Sequence, residues 1–241
     1  MRIIGVYNIK GGVGKTATAV NLAYVSAAAG FRTLVWDLDP QGAATYYFRV
    51  KPRVKGGGER ILRGQREIDR VIKGTDFERL DLLPADFSYR NMDLVLGETK
   101  KPAKQLLRLL HPLAEEFDYI YLDCPPSISL VSENIFRAAD ALLIPTIPTT
   151  LSVRTYQQLL QFLDGHGLAK ISRMPLPSGF RPRKYSSRQP GFATGSKVGF
   201  GMKRLTFPPT SRQRRPPTSA QSIARFFMRR SMCRVKASSA S

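Results

Sequence analysis

The sequence reads Lys10-Gly11-Gly12-Val13-Gly14-Lys15-Thr16 between an apolar run, residues 3–7, and an alanine-rich run that begins at Ala17. The apolar run predicts a buried strand and the alanine-rich run predicts a helix, so the glycines fall in the turn between them. A glycine-rich turn that opens a helix points backbone N–H groups inward and adds the positive end of the helix dipole. This stretch therefore predicts a phosphate-binding loop within an α/β fold.

The predicted loop carries two lysines. Its spacing differs from the usual G-x-x-x-x-G-K-[ST], and Lys10 gives the loop a second cation besides Lys15. Lys15 can reach the outer phosphates of a nucleotide, and the Thr16 hydroxyl can ligate Mg²⁺. The competing interpretation is a chance glycine turn, but the order of strand, loop and helix favours the nucleotide site. The predicted nucleotide-binding residues are Lys10, Gly11, Gly12, Val13, Gly14, Lys15, Thr16 and Ala17.

Three carboxylates stand where predicted strands end. Asp37 and Asp39 follow the buried run 33–36, and Asp123 closes the run 119–122. Parallel sheets place their ligands at the carboxyl ends of the strands, so these side chains are expected to face the loop. The competing interpretations are an ordinary acidic turn at Asp37 and Asp39 and a capping residue at Asp123. Beside a phosphate loop we favour metal and water chemistry, and the sequence leaves open which of Asp37 and Asp39 does which.

These motifs occur together in one family. Residues 10–16 resemble the deviant Walker A motif of the ParA/MinD-type ATPases, with ParA-type partition ATPases the most similar group. The resemblance continues through residues 37–42, 82–85, 123–127 and 145–146, in the family's order, and covers about the first two-thirds of the chain. It implies a Mg²⁺-dependent ATP hydrolase whose catalytic residues are Lys10, Lys15 and Asp39 and whose metal-site residues are Thr16, Asp37 and Asp123.

The resemblance also implies individual roles. Asp39 would orient the attacking water, Asp37 would support the Mg²⁺ shell, and Asp123 would hold the ion through its water shell opposite Thr16. Lys10 would cross to the nucleotide of a second subunit, so that ATP would hold a face-to-face homodimer. Proteins of this type bind DNA nonspecifically as dimers and are stimulated by a ParB-like centromere-binding partner. The function implied is segregation of a plasmid or chromosome, in the cytoplasm and associated with the nucleoid.

The pattern of buried runs predicts the fold class. Parallel strands that alternate with helices indicate a doubly wound, mostly parallel sheet of the P-loop NTPase type. The predicted strands are residues 2–8, 33–36, 80–84, 119–123 and 141–144, and the predicted helices are residues 14–29, 61–73, 104–116 and 151–164. We expect residues 1–175 to form the ATPase domain.

Charge divides the chain into two unequal parts. The net charge is +20, yet all 18 acidic residues lie at or before Asp164, so the first 164 residues carry +3 and the last 77 carry +17. Residues 176–241, rich in Ser, Pro and Arg, are predicted to form an atypical disordered tail in which residues 223–228 are the only helical candidate. Two explanations stay open. The tail is a genuine DNA-binding segment, or the reading frame has shifted near Pro177 and the chain is an inactive remnant.

Other features narrow the alternatives. Residues 51–66 surround three glycines with basic residues, and they are either a solvated surface loop or a contact for a phosphate backbone. No run of eighteen apolar residues occurs and no leader precedes the first strand, so neither a membrane span nor export is expected. Cys124 and Cys233 form no metal or redox pattern. A MinD-like positioning ATPase would need an amphipathic C-terminal helix, and a GTPase would need an Asn-Lys-x-Asp motif that is missing.

Overall fold

The computed structural model describes residues 1–177, and a single sheet forms its centre. Within these residues the sheet has seven strands in the order β3-β4-β2-β5-β1-β6-β7. The strands are β1 (Arg2–Val6), β2 (Thr33–Asp37), β3 (Lys73–Gly74), β4 (Leu80–Leu83), β5 (Tyr119–Asp123), β6 (Ala141–Thr146) and β7 (Ser172–Pro177). All neighbouring pairs are parallel except β3 with β4. The predicted doubly wound, mostly parallel fold class is confirmed.

Helices cover both faces of the sheet. They are α1 (Lys15–Ala28), α2 (Ala43–Tyr47), α3 (Gly58–Leu62), α4 (Met92–Gly97), α5 (Gln105–Leu110), α6 (Leu130–Ala138) and α7 (Thr150–Gly165). Successive residues of β5 point to opposite faces: Ile120 and Leu122 pack in one core cluster with α3 to α7, and Tyr119 and Tyr121 pack in the other with α1. Burial on both faces explains why the strands are continuous apolar runs.

The strand register brings the predicted site residues to one edge. Asp123 pairs with Val6 of β1 on one side and with Asp37 of β2 on the other. Neighbouring strands lie about 4.8 Å apart, so Asp123 starts one strand away from the loop that leaves β1 and Asp37 starts two strands away. From β1 the chain runs outward to β2 and then to the edge strand β3. It later returns to β5, which lies between β1 and β2. Such a reversal is where open α/β sheets bind ligands.

Two predicted helices differ from the structure. The predicted helix 61–73 is wrong: α3 ends at Leu62, and only a short 3₁₀ turn, Asp69–Val71, follows before β3. Gly64 adopts φ 70° and its N–H donates to the Ile61 carbonyl at 2.8 Å, a left-handed ending that stops the helix. The predicted helix 104–116 is divided into α5 and a 3₁₀ turn, His111–Ala114, because Pro112 lacks the N–H that an α-helix needs there.

Several elements were not predicted. The strand β7 extends to Pro177, across the expected domain boundary after residue 175. It was not predicted because its two prolines are unfavourable within a strand. Helix α6 was also missed, although the Ser129 N–H donates to the Ser132 hydroxyl at 2.7 Å as in a capping box. Among residues 1–177, no helix has the length and apolar character needed to cross a membrane. The predicted tail beyond Pro177, with its candidate helix 223–228, lies outside the described residues.

Candidate nucleotide-binding site

The glycine-rich loop links β1 to α1 as the sequence predicts. Gly14 adopts φ 89°, a left-handed conformation that favours glycine, and it immediately precedes the first residue of α1. In the described part of the chain no side chain caps this helix, and its first turn contains no acidic residue. The first N–H groups of α1 are therefore available to an anion, with the positive end of the helix dipole behind them.

A buried amide that the sequence analysis missed fixes the start of the loop. Asn8 is 2% exposed, and its side chain donates from Nδ2 to the Pro145 carbonyl at 2.8 Å. Its Oδ1 accepts the backbone N–H of Lys10 at 2.9 Å. Asn8 thus ties the loop to the end of β6, so the position of Lys10 depends on a contact that is distant in sequence.

Lys15 is a largely buried cation that lies against the loop. Its side chain is 8% exposed by residue, and its Nζ donates to the Lys10 carbonyl at 3.2 Å. Burial lowers the pKa of Lys15, while the charges of Asp123, Cys124 and Asp39 act in the opposite direction. The ammonium therefore lies close to the carboxylate edge, and its bond to the Lys10 carbonyl is at the long end of the hydrogen-bond range. A phosphate oxygen would be a stronger acceptor for this ammonium.

Asp123 is a buried carboxylate without a hydrogen-bond partner in the part of the chain that the structure describes. It is 1% exposed, and neither of its oxygens has a hydrogen-bond partner of good geometry among residues 1–177. Burial and the charge of Asp37 raise the pKa of Asp123 to about 7, whereas the nearby Thr16 hydroxyl and Lys15 lower it. A buried carboxylate with free lone pairs is unfavourable unless a cation or a donor reaches it.

The donor set at this edge fits Mg²⁺. The Asp123 carboxylate and the Thr16 hydroxyl are hard oxygen ligands, which this ion prefers. No group of three or more His, Cys, Asp or Glu residues suited to a metal occurs among residues 1–177. Few protein ligands are usual for Mg²⁺, because waters and substrate phosphates complete its octahedral shell.

Asp37 is buried but, unlike Asp123, its oxygens are engaged. Oδ2 accepts the Thr45 backbone N–H at 2.8 Å and the Thr45 hydroxyl at 2.7 Å, and Oδ1 accepts the Asp39 N–H at 3.3 Å. Burial raises the pKa of Asp37 to about 6 despite these bonds. The Thr45 hydroxyl in turn accepts the Ala85 N–H at 2.8 Å. Thr45, which the sequence analysis did not single out, therefore connects Asp37 to the end of β4.

Asp39 is half-buried in the turn after β2. Its Oδ1 accepts the Gln41 N–H at 2.9 Å, and its charge influences both Lys15 and Asp123. The structure thus brings Lys15, Asp39 and Asp123 to one edge of the sheet. Thr16 and Asp37 lie beside them. The individual roles of these residues stay predictions.

Comparison with known proteins identifies the family. A family model described as an AAA domain matches residues 1–169. The chain belongs to this family. Its AAA-domain relatives include the chromosome partitioning protein ParA of Myxococcus xanthus, 38% identical over 164 residues, which are 68% of this chain and 58% of that relative. The ParA-type resemblance is therefore confirmed, and the chain spans less than two thirds of this relative's length.

Solved structures agree with the AAA-domain assignment. A cobyrinic acid a,c-diamide synthase from Mycobacterium smegmatis with bound ATP analog and magnesium matches with a TM-score of 0.68 and 30% identity, over 73% of this chain and 74% of that one. A plasmid partition protein from Borrelia burgdorferi bound to AMPPNP matches with a TM-score of 0.68 and 25% identity, over 76% and 78%. The AAA-domain chain thus has the P-loop fold of ParA-like ATPases.

Proposed function

We propose that this chain is a partition-type ATPase that binds ATP with Mg²⁺, hydrolyses it, and uses the nucleotide state to control a homodimer on DNA. One observation carries the proposal: the unpartnered, buried Asp123 carboxylate beside Thr16 and Lys15, at the edge where the loop leaves β1. If Asp123 were only structural, its buried carboxylate would be expected to have hydrogen-bond partners, or an apolar residue would be expected at this position. A site for a metal–nucleotide complex explains why it is free.

The chain's own residues would position the nucleotide rather than react with it. The N–H groups at the start of α1 and the Lys15 ammonium would bind the phosphates, with Lys15 exchanging the Lys10 carbonyl for a phosphate oxygen. Thr16 and Asp123 would hold Mg²⁺, which when bound neutralises charge that develops on the phosphates. Asp37, whose oxygens are held by Thr45, would support this arrangement, and Asp39 would align the attacking water.

The switch itself depends on Lys10. Its backbone is fixed on both sides, by Asn8 and by Lys15, while its side chain is only half-buried. A fixed backbone with a side chain that can extend suits a lysine that reaches the nucleotide of a second subunit. In that arrangement the dimer lasts as long as the γ-phosphate does.

The switch is tested by light scattering with Lys10→Ala. We expect the parent chain to dimerise with ATP and Mg²⁺, and the variant to stay monomeric while it still binds nucleotide through Lys15. Lys104→Ala, an exposed lysine outside the site, is the matched control and should dimerise normally. Dimers of the Lys10→Ala variant with ATP would contradict the role of Lys10.

The partners follow from the same proposal. Relatives with this domain are named chromosome partitioning and plasmid partition proteins. We therefore assign the chain to plasmid or chromosome segregation in the cytoplasm, associated with the nucleoid through nonspecific DNA binding. A ParB-like centromere-binding protein would stimulate hydrolysis. The expected result is slow ATP turnover by the chain alone and faster turnover when DNA and such a partner are both added.

A further inference from the structure

Positive charge in the described chain is concentrated in one segment. Residues 51–73, called here the basic segment, contain eight Lys and Arg against three Asp and Glu, a net charge of +5. Residues 1–177 as a whole contain 23 Lys and Arg against 18 Asp and Glu, which is also +5. The rest of the described chain is therefore electrically balanced. The nucleotide edge does not account for this excess, since it lies outside the basic segment.

A buried residue anchors the basic segment to the rest of the domain. Val54 is 2% exposed, and its N–H donates to the Asp86 carboxylate at 2.8 Å. Arg53 and Lys55, on either side of this buried residue, are exposed. Anchoring Val54 therefore fixes the backbone while the two flanking cations face solvent. A loop that is only solvated would not need a buried carboxylate that accepts a hydrogen bond from its backbone.

Two of its eight cations donate to backbone carbonyls, and two others pair with exposed acidic side chains, Arg63 with Glu98 and Arg70 with Glu67. Arg66 donates from Nη1 to the Lys55 carbonyl, and Lys73 donates from Nζ to the Arg53 carbonyl at 3.5 Å. Arg70 pairs with Glu67 at 2.5 Å, but both side chains are at least 65% exposed. An ion pair this exposed contributes little and is easily exchanged. Most of the positive charge of the segment is therefore not neutralised.

Two adjoining cavities open among these side chains. One of about 530 Å³ is lined by six cations and no acidic residue, the cations being Lys51, Arg53, Lys55, Arg66, Arg70 and Lys73. The other, of about 460 Å³, is lined by three arginines, Arg60, Arg66 and Arg70, and by one acidic residue, Glu67, and it shares Arg66 and Arg70 with the first. The shared arginines make the two cavities one continuous strip of positive charge.

The shape of the strip selects its ligand. Its cations are spread over two open cavities and do not converge on one buried polar group, as the site of a small molecule would require. Of the three apolar side chains in the lining, Val54 and Val71 are buried and Ile72 is half-buried, so little apolar surface is available to enter a bilayer. Regularly spaced phosphates on an extended chain match both features. We propose that the basic segment binds the phosphate backbone of DNA without regard to sequence.

The segment is also attached to the nucleotide edge. A Cβ at Gly42, in the turn after Asp39, would lie 3.1 Å from the Pro52 Cβ. On the other side, Ala85 bonds to Thr45 and the next residue, Asp86, grips Val54. DNA on the strip would therefore contact a segment packed directly against the proposed ATP site. The link between bound DNA and the ATP site rests on the proposed switch, whereas DNA binding by the strip does not.

The test compares two variants of the full chain that lose the same charge. Binding of a fluorescent 40-base-pair duplex is followed by anisotropy from about 50 to 200 mM KCl, without nucleotide. The test variant carries Lys51→Gln, Arg53→Gln and Lys55→Gln. The control variant carries Lys100→Gln, Lys101→Gln and Lys104→Gln, at lysines that are likewise exposed. A second test variant, Arg60→Gln with Arg70→Gln, alters side chains on the far part of the strip and guards against misfolding of the first.

Each lost phosphate contact lowers the slope of log K against log salt by about 0.9. We expect the slope to fall by about 2 to 3 in the first test variant, by about 1 to 2 in the second, and by less than about 1 in the control. Equal falls in test and control variants would overturn the proposal, as would no fall in either test variant. Loss of binding to phosphatidylserine vesicles with duplex binding unchanged would assign the strip to membranes and also overturn it.

A separate measurement keeps this result distinct from the proposed function. The thermal shift with ATP and Mg²⁺ is recorded for the parent and for each variant. If the parent shows no shift but the test variants still lose duplex affinity selectively, the proposed ATPase fails while the DNA-binding strip stands. If the shift is present and the selective loss is not, the strip fails while the ATPase stands.

Discussion

The phosphate loop and the basic segment both present positive charge to anions, but the loop brings its groups together and the segment spreads them apart. At the loop, Lys15 and Asp123 are almost fully buried and lie close enough to influence each other's pKa. In the basic segment, by contrast, Arg53, Lys55 and Arg70 are exposed.

The difference reflects what each region has to recognise. A transferable phosphate must be held in one geometry, which requires buried, convergent groups and shifts their pKa values. A polyanion needs only charge at the right spacing, and exposed side chains supply this with little loss of stability. The following variants test this contrast, beginning with the largest expected change.

Thr45 joins the two regions, so its replacement should have the largest effect on stability. Thr45→Val removes the hydroxyl that donates to Asp37 and accepts from Ala85, leaving two buried groups short of a partner. We expect the free energy of unfolding to fall by about 3 kcal/mol. Thr99→Val, which removes one half-buried bond to the Leu96 carbonyl, is the control and should lose about 1 kcal/mol. Urea titrations that give equal losses would contradict this role for Thr45.

The buried Asp123 should make the free energy of unfolding fall as pH rises, which exposed carboxylates do not do. Its pKa is about 7 in the folded chain and about 3.9 when unfolded, so between these values the folded state binds more protons. Stability without nucleotide therefore falls as pH rises through this window. Asn cannot titrate, so the advantage of Asp123→Asn over the parent should grow by about 2 kcal/mol from pH 5 to pH 8.

Asp118 provides a control of opposite sign. A hydrogen bond from Arg32 lowers the pKa of Asp118, so its stabilising contribution is present above the unfolded pKa and is lost only as pH falls. The difference between Asp118→Asn and the parent should therefore stay flat from pH 5 to pH 8. If urea titrations give a flat profile for Asp123→Asn as well, the carboxylate is not buried unpaired in solution.

Replacement of Gly42 tests the packing between the Asp39 turn and the basic segment, and its expected effect on stability is smaller. Its φ of 67° is unfavourable for alanine, and the new Cβ would meet Pro52. We expect Gly42→Ala to lower stability by about 1 kcal/mol. Gly97→Ala is the matched control because no atom lies within 4 Å of its Cβ position and Gly97 ends a helix, so it should be neutral or slightly stabilising. Melting temperatures that move in the same direction would contradict the close packing at Gly42.

Local patterns were enough to predict much of this molecule. The loop, Asp37 and Asp123 were found from sequence because each lies at the end of an apolar run, where chain order alone fixes the neighbourhood. Asn8 and Thr45 were not found, since their importance comes from partners 137 and 40 residues away. Gly64 and Pro112 interrupted predicted helices because one backbone conformation outweighs a run of favourable side chains.

Nucleotide binding by the loop is the property on which the proposed function rests. Calorimetric titration of the full chain with ATP and Mg²⁺ tests this, alongside Lys15→Ala and the control Lys104→Ala. We predict saturable binding by the parent and the control, and an affinity at least about 100-fold weaker for Lys15→Ala, because the ammonium would make charge-assisted bonds to phosphate. If the folded parent chain binds no ATP, or if Lys15→Ala binds it as tightly as the parent, the loop is not the proposed nucleotide site.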